Sequence, residues 1–258
     1  MEGFAALVAV AGVAALASPL GGMLGLSLRA NALTLSLVVG FAAGVLLGTF
    51  AFEMMPRALE DAGAGLAVLG FAAGFAFVYG LDLLVNRGRM AGPKGDPDGK
   101  VARFHRRRRP LGPQTTVLGL GTTCEELIEG LSIGVGMAID PGLGWIIALA
   151  VGIDNVSEGL SLAELARAEK TGHVARRVLG WSSLIGVALF ASALAGWFAL
   201  RGVSDVTMGA LIAAGAGGMF YLTAAQLMPE AEAHHVQQSG AIAIAAGFLA
   251  IFLLSSLT

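Results

Sequence analysis

Two short acidic segments carry the residues that could do chemistry in this chain of 258 residues. Each segment lies within an apolar stretch of membrane length, and the two begin 29 residues apart and continue with the same sequence, Glu-Gly-Leu-Ser. A charged acid at the centre of a membrane helix costs about 2.5–3.5 kcal/mol on insertion scales, so acids in such places are typical of functional sites. The polar members of the two segments are Glu125, Glu126, Glu129, Asp154, Asn155 and Glu158.

Helical spacing predicts that the acids of each segment share one face. Residues three and four positions apart are neighbours on a helix, so Glu129 lies beside the two preceding acids and Glu158 lies beside Asp154. If the two helices pack together, these faces converge, and carboxylates so close require cations or shared protons. Oxygen ligands favour hard ions such as Mg²⁺, Ca²⁺ and Mn²⁺. The pattern predicts a cation site, with a proton relay or a purely structural acidic network as the competing interpretations.

The elements that must carry these segments are membrane helices. Hydrophobic residues make up 56% of the chain and charged residues 13%, whereas soluble domains carry about 25% charged residues. About 20 apolar residues cross a bilayer, and lipid offers no partner to an open backbone. Composition therefore predicts an all-α integral membrane protein, a single transmembrane domain over residues 1–258. Its eight predicted spans are 3–28, 32–56, 62–86, 113–138, 142–166, 178–200, 206–229 and 236–257.

The basic residues predict the orientation. The connections after spans one, three, five and seven carry 14 of the 16 Lys and Arg residues, and cytoplasmic loops are enriched in these residues. We therefore expect a multi-pass protein of the cell membrane, inner or plasma, with both termini extracytoplasmic. Loop 87–112 would be cytoplasmic, and its Gly, Pro and charged residues predict disorder. Its basic tetrad at 106–109 is interpreted as facing lipid headgroups, so no nucleic-acid partner is predicted.

An internal repeat is a second pattern in the chain. A shift of 173 residues aligns the end of span two with the end of span seven, and it places Pro56 on Pro229. In the predicted topology these two spans run in opposite directions, as do spans four and five. Inverted-topology repeats are a common transporter design, with a midplane site at the repeat interface. The pattern favours this design over chance similarity between Ala- and Gly-rich helices.

Several other residues could line a route for ions. Glu53 could guide cations at an outer entrance or simply reach the interface, and its repeat counterpart Gln226 could line an inner vestibule. Cys124 could be a soft ligand or a packing residue. Asp82 lies near a predicted cytoplasmic span end and is assigned no special role. The remaining candidates are two serines, as hydroxyl ligands or backbone partners, and two histidines: Ser132, Ser161, His234 and His235.

The acidic segments, the eight spans and the long loop after span three resemble the ZIP (Zrt/Irt-like) family of metal transporters over essentially the whole chain. In that family span four typically carries His-Asn-x-Pro-Glu-Gly, and span five carries a related motif. The resemblance implies a binuclear metal centre between spans four and five, a homodimer, and rocking or elevator-like alternating access. It places metal ligation on Glu125, Glu126, Glu129, Asp154, Asn155 and Glu158.

This chain departs from the family pattern at positions that bear on the metal. Glu125 stands where the family has histidine, and Ile128 and Ser157 stand where it has prolines. A missing proline removes a helix break that would free backbone carbonyls. The resemblance therefore leaves the choice among Zn²⁺, Mn²⁺, Fe²⁺ and Cd²⁺ open, since zinc also binds carboxylates.

These patterns lead to one main hypothesis and two competitors. The chain is predicted to carry divalent metal cations, zinc or another transition metal such as manganese or iron, toward the cytoplasm. The metal ion would be the substrate, and no organic cofactor is predicted. The alternative is a proton- or sodium-coupled carrier of another solute, with the acids as coupling-ion sites. A membrane metalloenzyme is disfavoured because no histidine accompanies the acids within the spans, so no enzymatic activity is predicted.

Overall fold

The computed structural model describes residues 2–28, 31–85, 114–169, 172–199, 203–232 and 238–257, which form helices with no strand among them. This confirms the predicted all-α class. Two π-helical turns, Phe50–Met54 and Thr223–Leu227, continue two of the α-helices. The α-helices are α1 (Glu2–Ser27), α2 (Ala32–Thr49), α3 (Met55–Val85), α4 (Gln114–Ile139), α5 (Pro141–Ala168), α6 (Val174–Ala199), α7 (Asp205–Leu222), α8 (Met228–Glu232) and α9 (Ser239–Ser255).

Five helical stretches in the described residues are long and apolar enough to cross a membrane, a smaller number than the eight predicted spans. One of them, Ala32–Leu83, covers two predicted spans, and α9 is a shorter apolar helix of 17 residues. Loop 87–112, for which disorder was predicted, lies outside the described residues, as do His234 and His235. The five stretches are Gly3–Ser27, Ala32–Leu83, Pro141–Ala168, Val174–Ala199 and Asp205–Glu232.

The break between predicted spans two and three lies at Gly63. The helix continues through residues 57–61, where the Nε atom of Arg57 lies 2.9 Å from Oδ2 of Asp61. An ion pair four residues apart supports a helix. Gly63 then takes φ 72° and ψ 163°, a conformation essentially restricted to glycine. The chain therefore leaves the second predicted span later than its composition indicates.

The elements around the two π-helical turns correspond at a constant offset of 173 residues. Helices α2 and α7 both contain 18 residues, and the π-helical turn that follows each contains five. Their starts are capped alike, since Asn31 accepts a hydrogen bond from the backbone of Thr34 and Ser204 accepts one from that of Thr207. Side-chain oxygens in this position satisfy the free N–H groups of a first turn. The two segments thus share one order of cap, helix, π-helical turn and helix.

The long helices pack as two bodies. Helices α1, α4, α5 and α6, the first body, make their most extensive contacts with one another. Helix α2 packs chiefly on α9 and α3 packs chiefly on α7, and these two pairs, joined by α8 and the π-helical turns, are together called the second body. Within each body, glycines allow backbones to touch: a Cβ atom on Gly159 of α5 would lie 2.5 Å from the carbonyl oxygen of Ser18, and one on Gly70 of α3 would lie 2.5 Å from that of Ala210. Small residues permit such close approach in membranes. The bodies meet mainly where α5 faces α2 and α4 faces α7.

Candidate metal centre

Helices α4 and α5, which carry the acidic segments, form a tight antiparallel hairpin. Asp140 caps α5 by accepting a hydrogen bond of 2.7 Å from the backbone N–H of Gly142, with proline at the first helical position, where proline is favoured. A Cβ atom on Gly136 would lie 3.1 Å from the Cα atom of Gly144. In the register set by this contact, Glu126 lies level with Asp154. The hairpin therefore brings the two acidic faces together, as the spacing predicts.

All six predicted ligand residues are buried, with exposed fractions between 0 and 8%. Glu158 interacts electrostatically with Glu125 and Glu126, and Asn155 interacts with Glu126. Glu129 interacts electrostatically with the other two glutamates of α4. We call these six residues the acidic cluster: Glu125, Glu126, Glu129, Asp154, Asn155 and Glu158.

Several oxygen atoms of the acidic cluster are buried without a hydrogen-bond partner. Asn155 donates from Nδ2 to the carbonyl oxygen of Ala14 in α1 at 3.2 Å, and Ser157 donates to Asp154 at 3.1 Å. These bonds leave other polar atoms unsatisfied, and an unpaired buried polar atom is costly. The atoms without partners are Oε1 of Glu125, Oε2 of Glu126, Oδ1 of Asn155 and Oε2 of Glu158. They form a set of oxygen donors suited to a cation.

The acidic cluster is close-packed but is not arranged as a coordination shell. In the part of the chain that the structure describes, no group of three or more His, Cys, Asp or Glu side chains has a geometry that could hold a metal ion. The carboxylates therefore interact with one another without converging on one point. A bound cation would require these side chains to rearrange.

The two serines that follow the acidic segments differ in their contacts. Ser132 donates its hydroxyl to the carbonyl oxygen of Ile128 in the same helix at 2.9 Å, so it takes the backbone role. Ser161 instead donates to Oε1 of Glu230 in α8 at 2.6 Å. This bond joins the first body to the chain that follows α7. Cys124 is only partly buried.

The pathway candidates Glu53 and Gln226 occupy the same position in the two π-helical turns. Glu53 is partly exposed, but its Oε1 atom is buried without a partner. Gln226 is buried, with an exposed fraction of 7%. Single π-helical turns are frequent at functional sites. The role of Glu53 and Gln226 in an ion pathway stays a prediction. Both residues lie in π-helical turns.

Sequence reasoning missed two acids that interact with the acidic cluster. Glu230 of α8 interacts electrostatically with Glu125 and Asp154. The sequence did contain a signal for Glu230, because this residue directly follows Pro229 of the repeated Met-Pro pair. Asp82 of α3 also interacts with Glu125. It resembled an ordinary charge at a span end, and nothing near it in the sequence distinguished it.

A separate polar network ties the opposite end of α4 to α5 and α6. Glu169, directly after α5, accepts hydrogen bonds from the backbone and hydroxyl of Thr115 at 2.8 and 2.7 Å, and pairs with Arg177 at 3.0 Å. Burial acts to raise the pKa of the Glu169 carboxyl. The hydrogen bonds and the guanidinium outweigh burial and hold this pKa below its ordinary value.

Comparisons with known proteins identify relatives of this chain. No protein-family model matches the chain. The proteins named Zinc transporter ZupT of Salmonella newport (strain SL254) and of Salmonella typhimurium (strain LT2) are each 33% identical over 234 residues, covering 88% of this chain and 85% of the relative. These names describe transporters and not enzymes, as predicted. At this identity and coverage, the chain belongs to the ZIP family of metal transporters.

Proposed function

We propose that this protein carries divalent metal cations, zinc among them, toward the cytoplasm through the acidic cluster between α4 and α5. The zinc transporters to which it is similar support the class of cargo. The observation that carries the location is the burial of five acids and one amide on two facing helices, with four of their oxygen atoms lacking partners. Buried carboxylates at this density are stabilised by a multivalent cation, which supplies both charge and ligand bonds.

The chemistry of the acidic cluster supports a cargo range wider than zinc alone. All of its donors are oxygen atoms, and the position of the family's histidine is held by Glu125. Oxygen ligands suit Mn²⁺ and Fe²⁺, while Zn²⁺ also accepts carboxylates. We propose that the metal ion is the transported substrate and that it binds at a binuclear site. Cd²⁺ is a further candidate for this substrate. No organic cofactor is part of the proposal.

The division into two bodies supports alternating access by their relative movement. The acidic cluster lies in the first body, while Glu230 of α8 interacts with it electrostatically from the chain of the second. Helix backbones touch at glycines within each body, whereas the hydrogen bond from Ser161 to Glu230 crosses between the two. A movement of one body against the other would break such side-chain contacts and spare the backbone contacts. The result is exposure of a midplane site to each side in turn.

We further propose eight spans arranged as inverted repeats. The break at Gly63 supports a division of the long stretch Ala32–Leu83 into two spans. Helix α4 contains 26 residues and is long enough to span a membrane. Its three glutamates exclude it from the five apolar stretches counted above, because those contain few charged residues. The constant offset of 173 residues between α2 and α7, with matching caps and π-helical turns, supports the repeat. The extracytoplasmic termini are supported by the basic residues, and the homodimer by the family resemblance.

Zinc flux into proteoliposomes tests the function and its location together. The variants Glu129→Ala and Glu158→Ala each remove a buried carboxylate from one of the two facing helices, and both should abolish flux. Glu60→Ala, which removes an exposed acid from α3, is the matched control and should transport as the wild type does. Unchanged flux in both cluster variants would overturn the proposed site. Zinc-independent, proton- or sodium-driven transport of another solute would favour the coupled carrier instead.

A further inference from the structure

Ser157 occupies a buried position in α5, three residues after Asp154. Its exposed fraction is 0%, and a hydroxyl enclosed in this way is costly unless it is hydrogen-bonded. Helix α5 is continuous from Pro141 to Ala168, whereas proline, which the family carries at position 157, would remove the N–H group that bonds the carbonyl oxygen of Ile153. Backbone carbonyls around Asp154 are therefore occupied within the helix, and α5 offers side-chain oxygens to the acidic cluster.

The hydroxyl of Ser157 has two acceptors, and both belong to Asp154. Its Oγ atom lies 2.8 Å from the backbone carbonyl oxygen of Asp154 and 3.1 Å from Oδ1 of the carboxyl group. A serine hydroxyl has one proton to donate. The carbonyl oxygen already accepts from the N–H group of residue 158 in the continuous helix, whereas a carboxylate ionised beside a cation forms hydrogen bonds about twice as strong as a neutral acceptor does. In a metal-loaded site the proton of Ser157 is therefore directed to Oδ1.

The two oxygen donors that α5 places side by side are both held by hydrogen bonds to groups outside the acidic cluster. Asp154 is held by Ser157, and the next residue, Asn155, is held by the carbonyl oxygen of Ala14 in α1 at 3.2 Å. Three glutamates of the cluster instead each keep a buried oxygen atom without a hydrogen-bond partner: Glu125, Glu126 and Glu158. The cluster thus combines anchored donors on α5 with glutamate oxygens that can turn toward a cation.

We propose that Ser157 is a positioning residue, whose hydroxyl holds the carboxylate of Asp154 in the orientation that binds the divalent cation. This inference rests on the proposed function and deepens it. With Oδ1 held by Ser157, Oδ2 of Asp154 is the atom available to the cation. Removing a group that orients a metal ligand without touching the metal lowers metal affinity by about 10–100-fold. Ser157 therefore acts on the affinity of the site through Asp154.

The variant Ser157→Ala removes the hydroxyl without adding bulk to the packed helix. We expect it to raise the half-saturating zinc concentration for flux into proteoliposomes about tenfold, with a maximal rate close to that of the wild type. Ser157→Thr keeps a hydroxyl donor and should restore the wild-type value. Thermal unfolding of the purified protein with and without zinc gives a readout that does not depend on transport. A tenfold weaker site reduces the stabilisation by excess zinc by about 1.4 kcal/mol.

Ser182→Ala in α6 of the same body is the matched control. Ser182 also has an exposed fraction of 0%, and its hydroxyl also donates to a carbonyl oxygen three residues earlier, that of Leu179, at 3.4 Å. In the part of the chain that the structure describes, this hydroxyl bonds no carboxylate. The control variant should therefore keep the wild-type half-saturating zinc concentration and the wild-type gain in Tm on addition of zinc.

The outcomes distinguish this inference from the proposed function. Wild-type zinc affinity in Ser157→Ala, alongside lost flux in Glu129→Ala, would overturn the positioning role and leave the proposed function intact. A lower Tm without zinc, combined with an unchanged gain on addition of zinc, would show that the hydroxyl serves packing, which also overturns the inference. A wild-type protein that neither moves divalent cations nor is stabilised by them would overturn both. If the extra methyl group of Ser157→Thr lowers Tm without zinc, the comparison of Ser157→Ala with Ser182→Ala decides.

Discussion

Replacing Gly159 by alanine should separate the helix that carries half of the acidic cluster from its neighbour. Gly159 directly follows Glu158 in α5 and packs against α1. A Cβ atom there would lie 2.5 Å from the carbonyl oxygen of Ser18 and 2.7 Å from the carbonyl carbon of Gly21. These are backbone atoms, so no rotamer change relieves the overlap. Helix α1 must move by about 1 Å to restore an ordinary contact distance of about 3.5–4.0 Å.

The size of the effect follows from this displacement. Overpacking a close-packed site costs about 1–3 kcal/mol, and we expect the upper half of that range because the overlap is with backbone. For a chain of this size, such a loss lowers Tm by roughly 4–12 °C. The same movement would lengthen the 3.2 Å hydrogen bond from Asn155 to Ala14, which joins the same two helices. A misplacement of about 1 Å at a reacting site can cost up to about a hundredfold in rate, so we also expect a large loss of zinc flux.

Thermal unfolding of the purified protein and zinc flux in proteoliposomes measure the two effects. The matched control is Gly180→Ala in α6 of the same body, because a Cβ atom there meets nothing within 4 Å. That variant should stay within about 0.5 kcal/mol of the wild type. If Gly159→Ala kept the wild-type Tm and flux, α1 and α5 would not be in backbone contact beside Glu158, and the reasoning would be refuted.

Two further predictions concern the backbone and the pH dependence of stability. Gly63→Ala should lower the free energy of unfolding by about 1–3 kcal/mol because of its glycine conformation, whereas Gly65→Ala, which also meets open space, should not. The Glu169 network stabilises the protein above the ordinary carboxyl pKa of about 4.3, and this stabilisation is lost as pH falls through the lowered pKa. Unfolding measured against pH should therefore lose part of its acid dependence in Glu169→Gln, and an unchanged profile would contradict the network.

Much of the helical framework was predictable because long apolar runs in the sequence identify membrane spans. Long apolar runs have few alternatives to a helix in lipid. The all-α class is therefore confirmed, whereas the described residues contain five membrane-length apolar stretches and not the eight predicted. The meeting of the two acidic faces was also predictable, since helical spacing and a short connection suffice to bring Glu126 opposite Asp154. These features depend on local patterns and on one hairpin.

The features that sequence reasoning missed depend on contacts between distant residues or on small changes of backbone winding. A π-helical turn adds about one residue to a single turn, which leaves no mark in composition. A charge at the end of a span looks the same whether it reaches water or, like Asp82, accepts a hydrogen bond from a tyrosine 139 residues away. Glu230 reads as part of an exposed turn until α8 brings it against Ser161.

The touching backbones inside each body determine how the surrounding bilayer can act on the protein. Attraction between such backbones comes from dispersion and from Cα–H···O contacts, and neither depends on the release of water or on the length of lipid chains. Contacts between the bodies, such as Ser161 with Glu230, are made by side chains. Changes in bilayer thickness or lateral pressure should therefore tilt one body against the other before they loosen the packing within either. We accordingly expect the transport rate to depend on lipid composition.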